Sequence, residues 1–522
     1  MLIIYFVKIC IAQTKCRVFK FKHILGVFKK NYEYALQNKV DILVFPFIFV
    51  GGIEYENLFH RAEYLKKILD GLDFIKDQVD DRLCVVFGHY SFYEGKLLDC
   101  VSVVNDHQFV LTTREVNKPF LFNYKGQSIA VLNLDDDLLF QGLEDKFNGS
   151  FSKADYLLVP SKSYFTGEKN NLRLKFFKEV AMKNNLEVVY ANLCGVYGST
   201  VFDGLSFFIN EYGKIKQAKK FEDDILFNEG FHDLELDCES KIFDKLIEAL
   251  ISSLREYVDL SGFDKVHLGV SGGIDSAVVA YIACAALGAH RVVGISMPSR
   301  FSSKGSVFDA KELARGLGFK LIDMPIEGMF QFVLEFFNGY FNTKGVTEEN
   351  LQARLRGLFL MSYSNANKSL LLNTGNKSEI AVGYCTLYGD SCGGIALIGD
   401  LFKRDVYNLA KYINLREGRS VISVNILSKE PSAELRPDQK DSDSLPKYEI
   451  LDEILSRYLL ENEPLELLYE SFGKEVVAKV LDLYSSSEYK RRQGSMIVKV
   501  SRKAFGDDIL LPISKVALTE DE

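Results

Sequence analysis

Residues Val266 to Ala277, Val-His-Leu-Gly-Val-Ser-Gly-Gly-Ile-Asp-Ser-Ala, leave this chain few ways to fold. The apolar run Val266 to Val270 reads as a buried strand. Ser271, Gly272 and Gly273 then make a turn, and from Ile274 the residues suit a helix with apolar positions on more than one face. A strand, a glycine turn and a helix N-terminus form an anion site, because the unpaired N–H groups of the first helical turn and the helix dipole point at whatever sits there. Glycine lets the backbone approach that anion without a Cβ in the way. Ser271 and Ser276 add hydroxyls, and Asp275 adds a carboxylate suited to a metal that bridges phosphates. No Gly-Lys-Ser/Thr follows the glycines and no G-x-G-x-x-G spacing is present, which excludes a Walker A loop and a dinucleotide fingerprint.

The loop resembles the SGGxDS loop of the N-type ATP pyrophosphatases, which split ATP between the α- and β-phosphates and adenylate a substrate. The rest of the chain must supply that substrate's site, and there is room for it. A length of 522 residues exceeds one core, and the composition, 47% hydrophobic and 26% charged, is that of a globular protein. A formal net charge of −8 gives no support to a nucleic-acid partner. The 9 cysteines are scattered with no C-x-x-C pair, which indicates neither a zinc site nor a disulfide framework and makes a reducing cytoplasm the simplest home. No apolar run is long enough to span a bilayer, so no membrane role is expected. The start, Met1 to Ala12, reads as a strand rather than a signal peptide, and the final Thr-Glu-Asp-Glu reads as a disordered acidic tail.

Residues 1–225 alternate strand-like and helical patterns, which predicts an α/β sandwich with its own core. Strands are expected at Val7 to Gln13, Asp41 to Pro46, Leu83 to Gly88, Ser102 to Val104, Ile129 to Asn133, Tyr156 to Pro160 and Val188 to Leu193, with helices near Phe28 to Asn38, Leu58 to Ile75 and Arg173 to Asn184. Charged residues over 226–240 predict a linker. Residues 241–522 begin with a helix after Cys238, and after the loop two further strand–loop–helix units follow, with strands at Arg291, Lys320 and Leu370, which predicts a doubly wound parallel sheet with ligands beyond the carboxyl ends of its strands.

The first region is similar to the nitrilase-type amidase domain, on the strength of "KICIAQ", "VDILVFPF" and the late "VYANLCG…STVFDGLSFFINEYGKI" in that family's order. Active members use a Glu base, a Lys cation and a Cys nucleophile. Here those positions fall on Phe47, Glu115 and Leu134; a one-residue slip at the last gives Asn133 or Asp135, still no thiol. No residue of those types can form a thioester, so the resemblance implies a fold kept without its amidase chemistry.

The second region is similar to the NAD synthetases. The segments are "EENLQARLRG", "TGNKSEIAVGYCTLYGDSCGG", "KEPSAELRPDQKDSDSLPKYEILD" and "YKRRQ", in family order after the loop. That resemblance implies conversion of deamido-NAD, ATP and ammonia into NAD, AMP and pyrophosphate through an acyl adenylate. By carry-over, Gly269, Val270, Ser271, Gly272, Gly273, Ile274, Asp275 and Ser276 cradle ATP with Thr374 and Lys403. Asp275 and Glu379 hold Mg²⁺. Asn350, Arg354, Glu379 and Lys490 hold deamido-NAD. Ser432, on a loop near 428–447 expected to be ordered only with ligand, closes over the phosphates and joins Asp275 and Lys403 as the catalytic set. Asn376 to Glu379 also reads as a capping box that needs no ligand. The family's synthetase domains pair, which implies a dimer or larger homo-oligomer. The rival readings are a glutamine-dependent enzyme and a non-enzymatic scaffold with both sites silent.

Overall fold

Ile9, Ile11, Ile42 and Val44 alternate along the chain with Cys10, Ala12, Leu43 and Phe45, and the two sets enter different cores. The computed structural model describes residues 6–15, 20–47, 61–94, 96–135, 139, 151, 153–514 and 518. Over these residues the chain forms two compact units, Met1–Lys245 and Leu246–Glu522.

The first unit holds two six-stranded sheets. Successive side chains of a strand point to opposite faces, so each sheet feeds two cores. Ile9, Ile11, Ile42 and Val44 meet Ile129, Val131, Leu158 and Val189 between the sheets. Cys10, Leu43 and Phe45 pack instead under the helices Phe21–Gln37 and Ala62–Gln78, and Leu132, Val159 and Tyr190 under the helix Lys169–Asn184. The result is a four-layer α/β sandwich, as the alternation predicts.

Two details depart from the sequence reading. The linker expected over 226–240 starts inside a strand: Asp224–Phe227 pairs antiparallel with Ile9–Gln13, with Phe227 opposite Cys10. The strand Ile215–Gln217 lies in a charged stretch just before that linker, Lys214 to Asp224. Both are edge strands, where polar residues face solvent and hide the alternation. The helix Glu239–Ser261 then runs across the boundary between the units. The start of the helix expected from Leu58 and the acidic tail lie outside the described residues.

The second unit is built on one parallel sheet. Its strands, named in spatial order, are Lys320–Asp323, Val292–Ser296, Lys265–Gly269, Ser369–Asn373, Ile395–Ala396 and Met496–Ile497. In chain order this is 3-2-1-4-5-6, so the topology reverses between Lys265–Gly269 and Ser369–Asn373. Open α/β sheets bind ligands at such a switch point, beyond the carboxyl ends of the strands. Residues 270–276 and Thr374 follow the carboxyl ends of those two strands. The helix Ile274–Leu287 is buried on nearly every side, which explains why its sequence is apolar all round. No helix among the described residues is long and apolar enough to cross a membrane.

Candidate active site

The glycine turn is fixed by a neighbour as well as by its own dihedral angle. Gly272 has φ +78°, and a Cβ built on it would stand 2.2 Å from the Ser306 carbonyl oxygen. Any side chain there would push the loop off the helix Lys304–Leu317. Gly273 caps the helix Ile274–Leu287 with extended dihedrals, and the Ala277 N–H is bonded back to its carbonyl at 3.2 Å. Ser271 Oγ accepts from the Gly273 N–H at 3.2 Å and lies 3.3 Å from Ser276 Oγ, which donates to the Gly273 carbonyl at 3.0 Å. The two hydroxyls thus brace the turn, and the first helical N–H groups open onto a cleft.

That cleft has a volume of about 350 Å³. On one wall Lys403, 3% exposed, lies between two carboxylates: its Nζ is 2.5 Å from Asp275 and 3.1 Å from Glu379. Three segments deliver these groups. Asp275 sits in the first turn after the loop, Glu379 in the first turn of Lys377–Val382, and Lys403 begins the helix Lys403–Glu417. Asn376 ties two of them together. Its side chain accepts from the Glu379 N–H at 3.0 Å in a capping box and donates to Asp275 at 3.0 Å. The capping box foreseen in the sequence therefore also orients the cleft carboxylate. Burial raises the Glu379 carboxyl above its ordinary range, with Lys403 pulling it back. Burial works to lower the Lys403 ammonium, but Asp275 and Glu379 outweigh it and hold it charged. One ammonium between two carboxyl groups leaves the wall with no positive charge to spare.

Most of the expected site residues line this one cleft: Gly269, Val270, Ser271, Gly273, Ile274, Asp275, Ser276, Thr374, Glu379, Lys403, Ser432 and Lys490. Lys490 donates to the carbonyls of Gly383 and Cys385 at 2.6 and 2.9 Å. Ser432 Oγ donates to the Gln439 carbonyl at 2.6 Å and accepts from the Glu434 N–H at 3.1 Å, so its hydroxyl shapes its own loop. Gly272, Asn350 and Arg354 do not line the cleft. Asn350 accepts from the Thr386 hydroxyl at 2.7 Å, and Arg354 is exposed and donates to the Leu387 carbonyl at 3.3 Å.

Among the cleft residues that escaped the sequence reading are Arg356, Asp390 and Asp441. Asp441 accepts from the Tyr448 hydroxyl at 2.9 Å, and burial raises its carboxyl. Its only sequence signal was a cluster of aspartates on a polar loop.

The first unit presents a different picture at its three amidase-equivalent positions. Phe47 is buried, edge-on to Tyr90 with ring centroids 5.2 Å apart. The Lys162 ammonium lies 4.8 Å from the Phe47 ring and 4.7 Å from that of Tyr90. It donates to the Tyr90 hydroxyl at 2.9 Å and pairs with Asp99 at 2.9 Å. The Asn133 side chain donates to the Asp99 carbonyl at 3.1 Å, and Leu134 beside it packs against the helix-side core. Glu115 is exposed and pairs with Lys118 at 2.8 Å.

Comparison with known proteins bears on both units at once. The NAD synthase family model matches residues 246–494. The glutamine-dependent NAD(+) synthetase of Acinetobacter baylyi is 36% identical over 92% of this chain and 93% of its own length. This chain belongs to the NAD⁺ synthetase family. The Thermotoga maritima glutamine-dependent NAD(+) synthetase is 32% identical, covering 94% of this chain and 96% of its own. Among solved structures, the glutamine-dependent NAD⁺ synthetase from Acinetobacter baumannii, in complex with adenosine diphosphate, has a TM-score of 0.74 and 31% identity, covering 97% of this chain and 98% of that one. The protein is thus a NAD⁺ synthase, a carbon–nitrogen ligase that uses ATP and deamido-NAD as substrates, and not a scaffold with both sites silent.

Proposed function

We propose that this NAD⁺ synthase takes ammonia directly as its nitrogen donor and that its first unit no longer hydrolyses glutamine. The observation that carries the reading is the buried Phe47 ring at the position of the amidase base, with Lys162 and Asp99 neutralising each other beside it. A phenyl ring cannot take a proton. Leu134 cannot form a thioester. A carboxylate at position 115 would repel a developing oxyanion rather than stabilise it. A second reading, dependence on glutamine, is favoured by the names of relatives aligned along more than nine-tenths of the chain. Feeding the purified enzyme either ammonium or glutamine separates the two. NAD with ammonium alone supports the first, and glutamate released in step with NAD overturns it.

The cleft suits the adenylation chemistry. A carboxylate is a poor electrophile, so an oxygen of the nicotinate carboxylate attacks the α-phosphorus of ATP as the bond to the pyrophosphate breaks. Ammonia then adds to the acyl carbon, AMP departs with the C–O bonding pair, and the nitrogen loses a proton. The N–H groups of the loop 269–276 receive the pyrophosphate, with Thr374 and Lys403 on ATP and Ser432 closing from the loop near 428–447. Lys490 and Glu379 hold deamido-NAD, with Asn350 and Arg354 reaching the part of that dinucleotide outside the cleft. The donor set also fits Mg²⁺. Asp275 and Glu379 stand on one wall of the cleft on either side of Lys403, and no group of three acidic, His or Cys ligands forms a cage among the described residues. Mg²⁺ prefers one or two carboxylates completed by substrate phosphates. Bound there, it would neutralise the departing pyrophosphate.

A dimer or larger homo-oligomer joined through the synthetase halves belongs to the same proposal. Met329, Phe332 and Phe336 recur along one stripe of the helix Glu327–Asn338, exposed and continued by Tyr340 and Phe341. A stripe of that size is normally covered. Light scattering at micromolar concentration tests it, and a monomer would count against it. A cytoplasmic home is consistent with the free thiols of the described cysteines.

A further inference from the structure

Five cationic side chains line the synthetase cleft among the described residues: Arg356, Lys403, Lys429, Lys490 and Arg491. They differ in what they face. Lys403 lies between Asp275 and Glu379, Lys429 pairs with Glu434 at 2.9 Å, and Arg491 pairs with Glu488 at 2.8 Å. Lys490 rests on two carbonyls. Among the described residues Arg356 has one hydrogen bond, from Nε to the Met297 carbonyl at 3.1 Å, and no ion pair.

A guanidinium carries five N–H donors and cannot shed its charge at ordinary pH. Burying it without a carboxylate is costly unless an anion from elsewhere completes it. Burial holds the Arg356 pKa down to about 10, with Asp390 and Glu434 partly opposing that shift from a distance. Helix geometry explains why the sequence pointed to its neighbour. Arg354 and Arg356 are two residues apart on Val346–Asn367, roughly 200° around the axis. One therefore faces outward when the other faces the cleft.

The position narrows the choice of anion. Met297 directly follows the strand Val292–Ser296, and that strand's Ile295 is in register with Gly269 at the root of the phosphate loop. A Cβ built on Gly269 would touch Met297 at 3.4 Å and Leu360 at 3.6 Å, and Leu360 lies one helical turn beyond Arg356. Arg356 therefore stands beside the start of the loop rather than over its helix end. The loop's helical N–H groups suit the pyrophosphate portion of ATP, which leaves the α-phosphate on the side where Arg356 stands.

We propose that Arg356 is a substrate-binding residue whose guanidinium grips the α-phosphate of ATP and of the acyl adenylate formed from it. The inference rests on the adenylation reading of the cleft and adds a residue to it. A planar fork matches two phosphate oxygens, which an ammonium does not. The other anion at the reacting centre is the nicotinate carboxylate, so the test must tell the two apart.

The experiment uses the full-length enzyme with saturating ammonium. Wild-type protein must first form NAD; failure at that step would overturn the adenylation reading rather than the role of Arg356. In R356A, the kcat/KM for ATP should fall by about 10- to 100-fold, the loss of a charge-assisted hydrogen-bond pair. Deamido-NAD-dependent ATP–pyrophosphate exchange should fall with it, and AMP, used alone as a probe, should bind correspondingly weaker by calorimetry. The KM for deamido-NAD should stay within about threefold. R356K, which keeps charge but not the fork, should recover only part of the loss. If R356A does not fold by circular dichroism, R356K carries the test on the same readouts. Unchanged ATP kinetics and AMP binding in a folded variant would overturn the proposal, and so would a loss confined to deamido-NAD.

Discussion

Each half of this enzyme seats a lysine against acidic and aromatic groups, and the two lysines have opposite consequences. In the second unit Lys403 serves two carboxylates at once, with the Tyr448 ring 5.3 Å from its ammonium. The count of charges is uneven, and the carboxylates line an open cleft. In the first unit Lys162 meets, among the described residues, the Asp99 carboxylate, the Tyr90 phenol and the ring faces of Phe47 and Tyr90. Acid and base there are matched one to one, and the rings cover the ammonium. A buried cluster can act on a substrate only if its own pairing leaves something over. The synthetase cluster leaves a second carboxyl group over; the cluster beside Phe47 leaves none among the described residues. Position in the fold matters too. The first is mounted at the switch point of a parallel sheet, whereas the second borders a helix-side core of Leu43, Phe45 and Phe87.

The sharpest way to break this comparison is to remove the second carboxyl group. Asp275→Ala should lower NAD formation by about 1000-fold or more, because the cleft would lose a pyrophosphate-side metal ligand and the orienting partner of Asn376 together. The fold should survive, since Asp275 is partly exposed and its loss leaves Lys403 paired with Glu379. Far-UV circular dichroism checks the second point and a coupled NAD assay the first; activity within a few-fold of wild type would remove Asp275 from the site. The next effect concerns the other half. Ammonium should support NAD synthesis where glutamine supports none, and thiol-directed glutamine analogues should label no cysteine. Cys10, Cys84 and Cys100 are buried thiols whose pKa burial pushes up to about 12, 12 and 11, which leaves them poor nucleophiles.

The two halves were also unequally legible. The loop from Val266 to Ala277 could be read because glycine, strand and helix signals coincide over twelve neighbouring residues, and the sheet order then put Thr374 beside it. Short-range signals likewise gave the capping box at Asn376. They could not show that its side chain reaches Asp275, 101 positions earlier. Arg356 was hidden by its neighbour, since both arginines sit in one helical motif and only the packed helix decides which faces inward. In the first unit the strands Gln108–Thr113 and Pro119–Tyr124 went unread because their side chains are half exposed at sheet edges. The sequence reading ended its strand at Pro46, one residue short of Phe47, which the strand Ile42–Phe47 includes. It did not find Lys162, whose partners come from Phe47, Tyr90 and Asp99, far off along the chain.

A smaller effect sharpens the account of the cleft. Lys490→Ala should raise the KM for deamido-NAD by about 10-fold, the scale of one charge-assisted contact, and leave the KM for ATP nearly unchanged. Steady-state kinetics with each substrate varied in turn reads the split. An effect on ATP alone would place Lys490 at the wrong end of the cleft.

The smallest expected effect lies in the silent half and concerns stability alone. Lys162→Met keeps an unbranched chain against the rings of Phe47 and Tyr90 but removes the charge that Asp99 and the Tyr90 hydroxyl face. Both members of the ion pair retain some solvent contact, with side chains 25% and 32% exposed. Water can therefore take over part of what Asp99 loses, and the cost should be about 1 kcal/mol rather than the several expected for a sealed pair. For a unit of this size that corresponds to a fall of about 2–4 °C in Tm. Ammonium-dependent NAD formation below the transition should match wild type, because no step of the synthetase chemistry uses this lysine. Differential scanning calorimetry alongside the NAD assay measures both quantities. A loss of activity without a loss of stability would mean that the first unit still takes part in the reaction, and the contrast between a working cluster and a neutralised one would fail.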